Sequence, residues 1–413
     1  MKDSCFYNLP VYWTVLMVYS AMTVQVLLTA AAAAATATSP RKYPANCSDG
    51  LVRQADYTVA VVERNAVPGG GALIGRMAAF GATAPNNTAF NFSFATAWFP
   101  APDGGGDGLI VRNVECSDDH HTCTGAAHPE WTNAGALAVV KADLGVGATT
   151  PTVEPVAEAS IFWAGTSEPA PAERWGAADP RCAYRKADKT YYLTWDNCTR
   201  NCYPHRSTYL STTTDPFDHD SWTLHGPLLP GIYTGGASLL MRDSPPHYAF
   251  VGNSNTANAI LLATSQDGLK WQQENQTFMS NRPGCWDAKG VAAGPQPERL
   301  SNGDYLYIYN IDTGFPFRPN TPYSYLGRCA IGWAILAGSD PTKIVARSTD
   351  ALLISELPFE TCGGEKNKGR ACQEPLVMFS TGMKPLGNDE FYVIYGAADT
   401  SVGMTKIKVN VKQ

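Results

Sequence analysis

The sequence predicts an all-β protein folded as one closed β-propeller, and three observations carry that prediction. Four segments of similar form recur, at residues 189–195, 247–251, 304–309 and 390–395; each follows a turn and alternates aromatic with aliphatic residues. Two of them are followed by a second strand and a polar hairpin. The clearer unit runs from Ile260 through Ala263-Thr264-Ser265 and Asp267-Gly268 to Trp271, and the weaker one covers residues 209–215 and ends near Trp222. Composition agrees: 37 Gly and 29 Pro, with 11% aromatic but only 16% charged residues, suit short strands joined by many turns. The starts near Tyr191, Tyr248 and Tyr305 are about 57 residues apart, and such a repeat is stable only when several copies pack around an axis. A lectin-like sandwich is the alternative, and no amphipathic helix longer than three turns is evident.

Taken in order, residues 1–38 read as a signal peptide or an N-terminal anchor. Residues 11–28 are nearly unbroken apolar sequence, Lys2 supplies a minimal positive start, and Ala35-Thr36-Ala37 has the small-residue texture of a cleavage site. The apolar stretch is also long enough to span a bilayer, so secretion and a single-pass anchor both stay open. Residues 39–54 form a polar linker, and residues 55–413 form the propeller. Setting Cys5 aside, ten cysteines remain, an even number that reads as disulfides in a secreted chain. Cys116/Cys123 and Cys362/Cys372 are close enough to staple loops, and Cys198/Cys202 can do the same or pair outward. His120-His121 lies between Cys116 and Cys123 without a second Cys-x-x-Cys half-site, so no metal is expected. Sequons stand at Asn46, Asn86, Asn91, Asn197 and Asn275. A net charge of −6 with no Lys/Arg run gives no reason to expect a nucleic-acid partner.

Two segments carry candidate chemistry. In the Asp179-Pro180-Arg181 segment, Pro180 stiffens the chain and is expected to hold Asp179 extended at a strand entrance, with Arg181 free to neutralise a carboxylate or grip substrate oxygens bidentately. In the hairpin at residues 391–405, a β-rich run from Phe391 to Tyr395 is expected to break at Gly396. It delivers Asp399 into the turn and resumes as Val402-Gly403-Met404. Rigid carboxylates beside aromatics suit sugar chemistry, although Asp-Pro-Arg also simply closes turns.

Together with Ala263-Thr264-Ser265-x-Asp267 and Trp271, Gly294-Pro295, Asp340-Pro341-Thr342-Lys343, Ala346-Arg347-Ser348 and Tyr395-Gly396-Ala397-Ala398-Asp399-Thr400, these segments resemble glycoside hydrolase family 130, the mannoside phosphorylases and β-mannosidases. The similarity is good from Asp179 to the C-terminus and weak over residues 55–170. The resemblance implies a single five-bladed β-propeller. It implies Asp179 as proton donor, relayed through a sugar hydroxyl in the phosphorylases, and Asp399 as the residue holding sugar in the −1 subsite. Asn91 and Arg112 are implied to line the same pocket, although a glycosylated Asn91 could not. Tyr309-Asn310 is placed on the rim of the fourth blade. Departures are Ala178, Thr234-Gly235-Gly236 and Ala292-Ala293, where relatives carry Glu, Lys-Ser-Gly and Glu.

The expected function is hydrolysis of β-mannosides or related glycans with inversion, in the secretory pathway. The alternatives are a phosphorylase using inorganic phosphate and a catalytically impaired sugar-binding propeller. Hydrolysis needs a second carboxylate about 6.5–9.5 Å from the acid, for which Glu173, Asp287 and Glu298 are candidates. Phosphorolysis needs cations, for which Arg181, Arg242, His247, Arg282 and Arg328 are candidates. The partners implied are a glycan and, for the alternative, phosphate; membrane contact is expected only through an N-terminal anchor, and no cofactor is expected.

Overall fold

The computed structural model describes residues 47, 51, 53–67, 71–74, 90–102, 104–115, 135–145, 151–155, 161–162, 177–197, 206–253, 259–312, 329–362 and 375–412. They lie in one compact unit spanning residues 43–413. Residues 1–38, most of the expected linker, Glu173, Arg328 and the side chain of Asn91 fall outside the described residues, as do Cys116, Cys123, Cys198, Cys202 and Cys372.

Five antiparallel sheets form the blades of a five-bladed propeller. After β1 (Tyr57–Glu63), blade one contains β2 (Phe90–Pro100), β3 (Asp107–Glu115), β4 (Gly135–Asp143) and β5 (Thr152–Pro155), with β6 (Ile161–Phe162) also on β4. Blade two contains β7 (Ala177–Arg185), β8 (Thr190–Asn197), β9 (Ser207–Thr213) and β10 (Thr223–Pro227). Blade three contains β11 (Thr234–Leu240), β12 (His247–Asn253), β13 (Ala259–Ser265) and β14 (Gln272–Ser280). Blade four contains β15 (Ala292–Ala293), β16 (Glu298–Arg299), β17 (Tyr305–Asp312), β18 (Cys329–Leu336) and β19 (Ile344–Arg347). Blade five contains β20 (Met378–Gly387), β21 (Glu390–Ala397) and β22 (Ser401–Val411).

The four recurring aromatic segments are the second strands of their blades, β8, β12, β17 and β21. Blades cover both faces of these strands, so Leu193, Phe250, Ile308 and Val393 are fully buried and the neighbours they alternate with are also largely buried. That is why the segments alternate aromatic with aliphatic residues and not apolar with polar. The Asp-Gly turn works as its chemistry predicts: Asp267 accepts from the Leu269 and Lys270 amides at 2.8 Å, Gly268 has φ +79°, and Trp271 Nε1 donates to the Gly268 carbonyl. The ring is closed by β1, which pairs antiparallel with β22 from Tyr57↔Val411 to Glu63↔Lys406 and leaves blade five with four strands. Arg53 reinforces this closure by bonding Asp304 of the neighbouring blade at 2.7 Å.

Two cysteine readings change. Cys47 and Cys285, 238 residues apart, form a disulfide that spacing gave no reason to propose. Cys182, counted among the disulfide-forming ten, is a buried thiol in the inner strand β7, and burial pushes its pKa far up. Cys362 is disulfide-bonded.

The inner strands β2, β7, β11, β15 and β20 line the axis and pack against one another around it. Pro295 and Pro297 cannot donate to a ladder, and the inner edge of blade four is accordingly split into β15 and β16. All five inner edges run in one sense. Their later residues, including Pro100, Tyr184, Leu240, Glu298 and Pro385, converge on a cavity at one mouth of the axis. Their first residues lie at the opposite mouth.

Candidate active site

At the mouth where the inner strands begin, a bulge in β7 sets the site. The β7–β8 register runs Ala177↔Asn197 and Ala178↔Asp196, then resumes at Arg181↔Thr194, so β7 carries one extra residue. Pro180 has no N–H to give the ladder, and the bulge removes the need for one. Asp179 therefore adopts φ +47°, not the extended conformation expected from the following proline. Its side chain is mostly buried, with 14% exposed.

Two arginines from other strands meet this carboxylate. Arg112, on β3 and stacked over the Phe94 ring at 4.9 Å, donates from Nη1 to Asp179 Oδ1 at 3.0 Å. Arg206, just before β9, donates from Nη2 to Asp179 Oδ2 and to Asp196 Oδ2, and from Nε to Asp196 Oδ2 at 2.8 Å. Asp196 is fully buried at the end of β8 and accepts from Thr208 Oγ1 at 2.9 Å and the Gly236 amide at 2.7 Å. Thr234 Oγ1 accepts from the Thr208 amide, fixing the start of β9 and hence Arg206. Desolvation pushes the Asp179 carboxyl up, but the charges of Arg206, Arg112 and Arg181, with the Arg206 hydrogen bond, overcome it and bring the pKa down to about 2. The site holds a carboxylate at neutral pH, with the guanidinium groups of Arg112 and Arg206 bound to Asp179 and Asp196. Guanidinium groups at such a mouth suit an incoming anion.

Arg181 is not the substrate clamp the sequence suggested. Its Nε, Nη1 and Nη2 donate to the carbonyls of Gly294, Asp179 and Ala293, each at 2.8 Å, so the group ties blade two to blade four. Gly236, with φ +82°, lies so close to this guanidinium that a Cβ would overlap it. That contact gives a physical reason for glycine at position 236.

Tyr309 and Asn310 are likewise buried and not on the rim. Asn310 bonds the Ala293 and Ser380 carbonyls and the Ser380 amide, clamping blade four to blade five. Tyr309 donates to Asp287 Oδ2 at 2.9 Å and accepts from Arg347 Nε at 3.2 Å. Asp399 occupies the turn between β21 and β22 with φ +50° and is half-buried, although β21 continues through Ala397 and does not break at Gly396. This turn is at the same end as the first residues of β20, because Met378 pairs with Ala397.

The other charged candidates are dispersed. Asp287 is sealed between Arg282 and Arg347. Glu298 and Arg242 line the cavity at the far mouth, and His247 Nε2 sits 3.0 Å from Arg185. Arg206, Asp196 and Gly236 were missed. Asp196 carried a readable signal, an acidic residue ending the apolar run Tyr191 to Trp195; Arg206 carried none. Among the described residues no group of three His, Cys, Asp or Glu could hold a metal ion.

The family model described as beta-1,4-mannooligosaccharide phosphorylase matches residues 141–412. The chain is 27% identical over 239 residues to beta-1,2-mannobiose phosphorylase of Thermoanaerobacter sp. (strain X514), covering 58% of this chain and 68% of the relative. It is similar in fold to the beta-1,2-mannobiose phosphorylase of Listeria innocua in complex with beta-1,2-mannobiose. The TM-score is 0.60 at 19% identity, over 85% of this chain and 97% of the other. A further similarity, with a TM-score of 0.62 at 18% identity over 84% of this chain and 94% of the other, is to a structure described as showing that this family of mannoside phosphorylases contains glycoside hydrolases that target beta-1,2 mannosidic linkages in Candida mannan. At these identities the solved structures bear on the fold alone.

Proposed function

The chain belongs to glycoside hydrolase family 130, and from that premise we propose that it is a β-mannoside phosphorylase. The observation that carries this reading is the pair Arg112 and Arg206 on the Asp179 carboxylate, at the axial mouth where the inner strands begin. Inverting hydrolysis, the first expectation from sequence, needs a second carboxylate free to activate water. Among the described residues, Asp196 and Asp287 are fully buried, Glu298 belongs to the opposite mouth, and Asp399 at the same mouth is assigned below to the sugar. Phosphorolysis needs no such base, because phosphate is itself the nucleophile.

In this reading a phosphate oxygen attacks the anomeric carbon from the face opposite the leaving oxygen. The glycosidic C–O bond breaks with inversion, and the leaving oxygen takes a proton. Asp179, held by Arg112 and Arg206, carries no proton at neutral pH. Phosphate against Arg206 and Arg112 offsets the positive field that keeps Asp179 ionised, which raises its pKa. Asp179 takes up a proton from the incoming dihydrogen phosphate and passes it to the leaving oxygen directly or through a sugar hydroxyl. Asp399, at the same mouth, is proposed to hold the sugar. Entry into the secretory pathway through residues 1–38 is proposed as well, supported by the Cys47–Cys285 disulfide. Endoglycosidase-sensitive forms of the expressed protein would confirm it, and a cytoplasmic, unglycosylated product would reject it.

The test is incubation with β-1,2- and β-1,4-mannobiose, with and without inorganic phosphate. Mannose 1-phosphate formed only with phosphate is the expected result. Free mannose released at the same rate without phosphate would make the protein a hydrolase, and no product in either case would favour the sugar-binding reading.

A further inference from the structure

The far mouth of the axis holds features that the chemistry at Asp179 does not use. A cavity of about 470 Å3 opens there, within the range of small-molecule sites. It is lined by residues three to seven positions beyond Asp179 along β7 and just after it, including Cys182, Ala183, Tyr184 and Lys186. At roughly 3.3 Å per strand residue, that places its nearest lining residue about 10 Å along the strand from Asp179.

Its most buried polar side chain is Gln296, only 7% exposed. The Gln296 amide donates to Glu298 Oε1 at 3.1 Å and to the Met383 carbonyl at 3.3 Å, while its Oε1 has no partner. A buried acceptor without a donor costs on the order of 1–3 kcal/mol, and a small turn of the Gln296 side chain toward the cavity would let a ligand hydroxyl satisfy it. Beside it stands the Glu298 carboxyl, which burial pushes up to about 7 against the opposing influence of Gln296 and Lys186. It can thus donate to or accept from a ligand oxygen near neutrality. Around the opening stand Lys186, Arg242 and Arg299 against the carboxylate of Asp243 and, when it ionises, that of Glu298. The floor therefore suits hydroxyl groups, and the rim suits an anion.

We propose that this far mouth is a second ligand site for a small polyhydroxylated molecule carrying one anionic group, a sugar phosphate or a sugar acid, with Gln296 and Glu298 binding hydroxyls and Lys186, Arg242 and Arg299 binding the anion. The proposal is independent of the reaction assigned to Asp179.

Calorimetric titration tests it, using mannose 6-phosphate, gluconate, mannose and inorganic phosphate. Protein carrying Arg206→Ala is used so that the anion site at the other mouth is weakened. Binding of mannose 6-phosphate, of gluconate or of both, at least tenfold tighter than mannose or phosphate alone, is expected; which of the two binds identifies the anionic group. Lys186→Glu with Arg299→Glu, both at exposed positions, should weaken it at least tenfold. Gln296→Leu should abolish the preference for the sugar-bearing anion over inorganic phosphate, and the surface pair carries the test if Gln296→Leu does not fold. No binding, binding unchanged in the charge-reversed protein, or binding seen only when Arg206 is intact would overturn the proposal.

Discussion

Two clusters in this propeller use the same chemistry, one aspartate between two arginines, with different outcomes. Asp287 is fully buried between Arg282 and Arg347, whose side chains are 8% and 5% exposed. Every nitrogen of these guanidinium groups is engaged: Arg282 also bonds the Cys47 and Ser348 carbonyls, and Arg347 bonds Tyr309 and the Ser280 carbonyl. Asp179 sits between Arg112 and Arg206 on a bulge with positive φ, at a mouth of the axis, and is 14% exposed. The first cluster pins the segment after β14 and the chain near Cys47 to the end of blade four. The second keeps a carboxylate charged where a ligand can reach it. Ion pairing alone does not mark a functional site; access and backbone strain separate the two.

Breaking each cluster should expose that difference. The largest effect is expected from Asp287→Asn, which leaves two buried guanidinium groups without a counter-charge. It should lower the unfolding free energy by about 3–5 kcal/mol in a urea titration. Asp179→Asn should instead lower phosphorolytic turnover by about 10³-fold, or ~4 kcal/mol, while changing the midpoint of the same titration far less than Asp287→Asn does. Equal turnover in mutant and wild type would remove Asp179 from the chemistry.

A smaller effect sharpens the comparison at the supporting shell. Gly236→Ala strains a φ of +82° and pushes a methyl group onto the Arg181 guanidinium. A loss of about 1–3 kcal/mol in stability is expected, with a raised KM for phosphate as Asp196 and Arg206 shift. An unchanged KM would mean that the Gly236 contact does not position Arg206.

The smallest effect belongs to Glu298, whose folded pKa is raised from 4.5 to about 7. The neutral carboxyl favours the folded state, so its contribution is fully present below about pH 4.5 and is lost as pH rises through 7. Glu298→Gln should therefore gain melting temperature over wild type between pH 5 and pH 8, corresponding to about 1–2 kcal/mol after allowance for partial solvent screening. A difference that is constant across that range would show that Glu298 is ionised throughout.

Much of the fold was legible because propeller blades repeat, and the same packing problem was solved similarly at β8, β12, β17 and β21. The Asp-Pro-Arg segment was legible because proline restricts backbone and pairing alike. What it did to the backbone was not, since the bulge depends on how β7 registers against β8. Arg181, Tyr309 and Asn310 stood at motif positions, yet all three bind the protein itself. Their partners, such as Ala293 and Gly294 for Arg181 over a hundred residues away, emerge only when neighbouring blades meet at the axis. Arg206 lacked any local pattern and owes its role to Asp196 and to the Thr234 hydroxyl that orders the start of β9.

By itself the sequence determined the class of fold, the blade unit and the position of the carboxylate carried on β7, because alternation, turn chemistry and proline act over a few residues. Tertiary structure decided which charges meet that carboxylate, which arginine is left to face a ligand and which is absorbed into interblade ties, and that the opposite mouth holds an open cavity. Those outcomes depend on contacts between strands far apart in the chain, and the electrostatic field at Asp179 is the sum of charges that only the closed ring brings together.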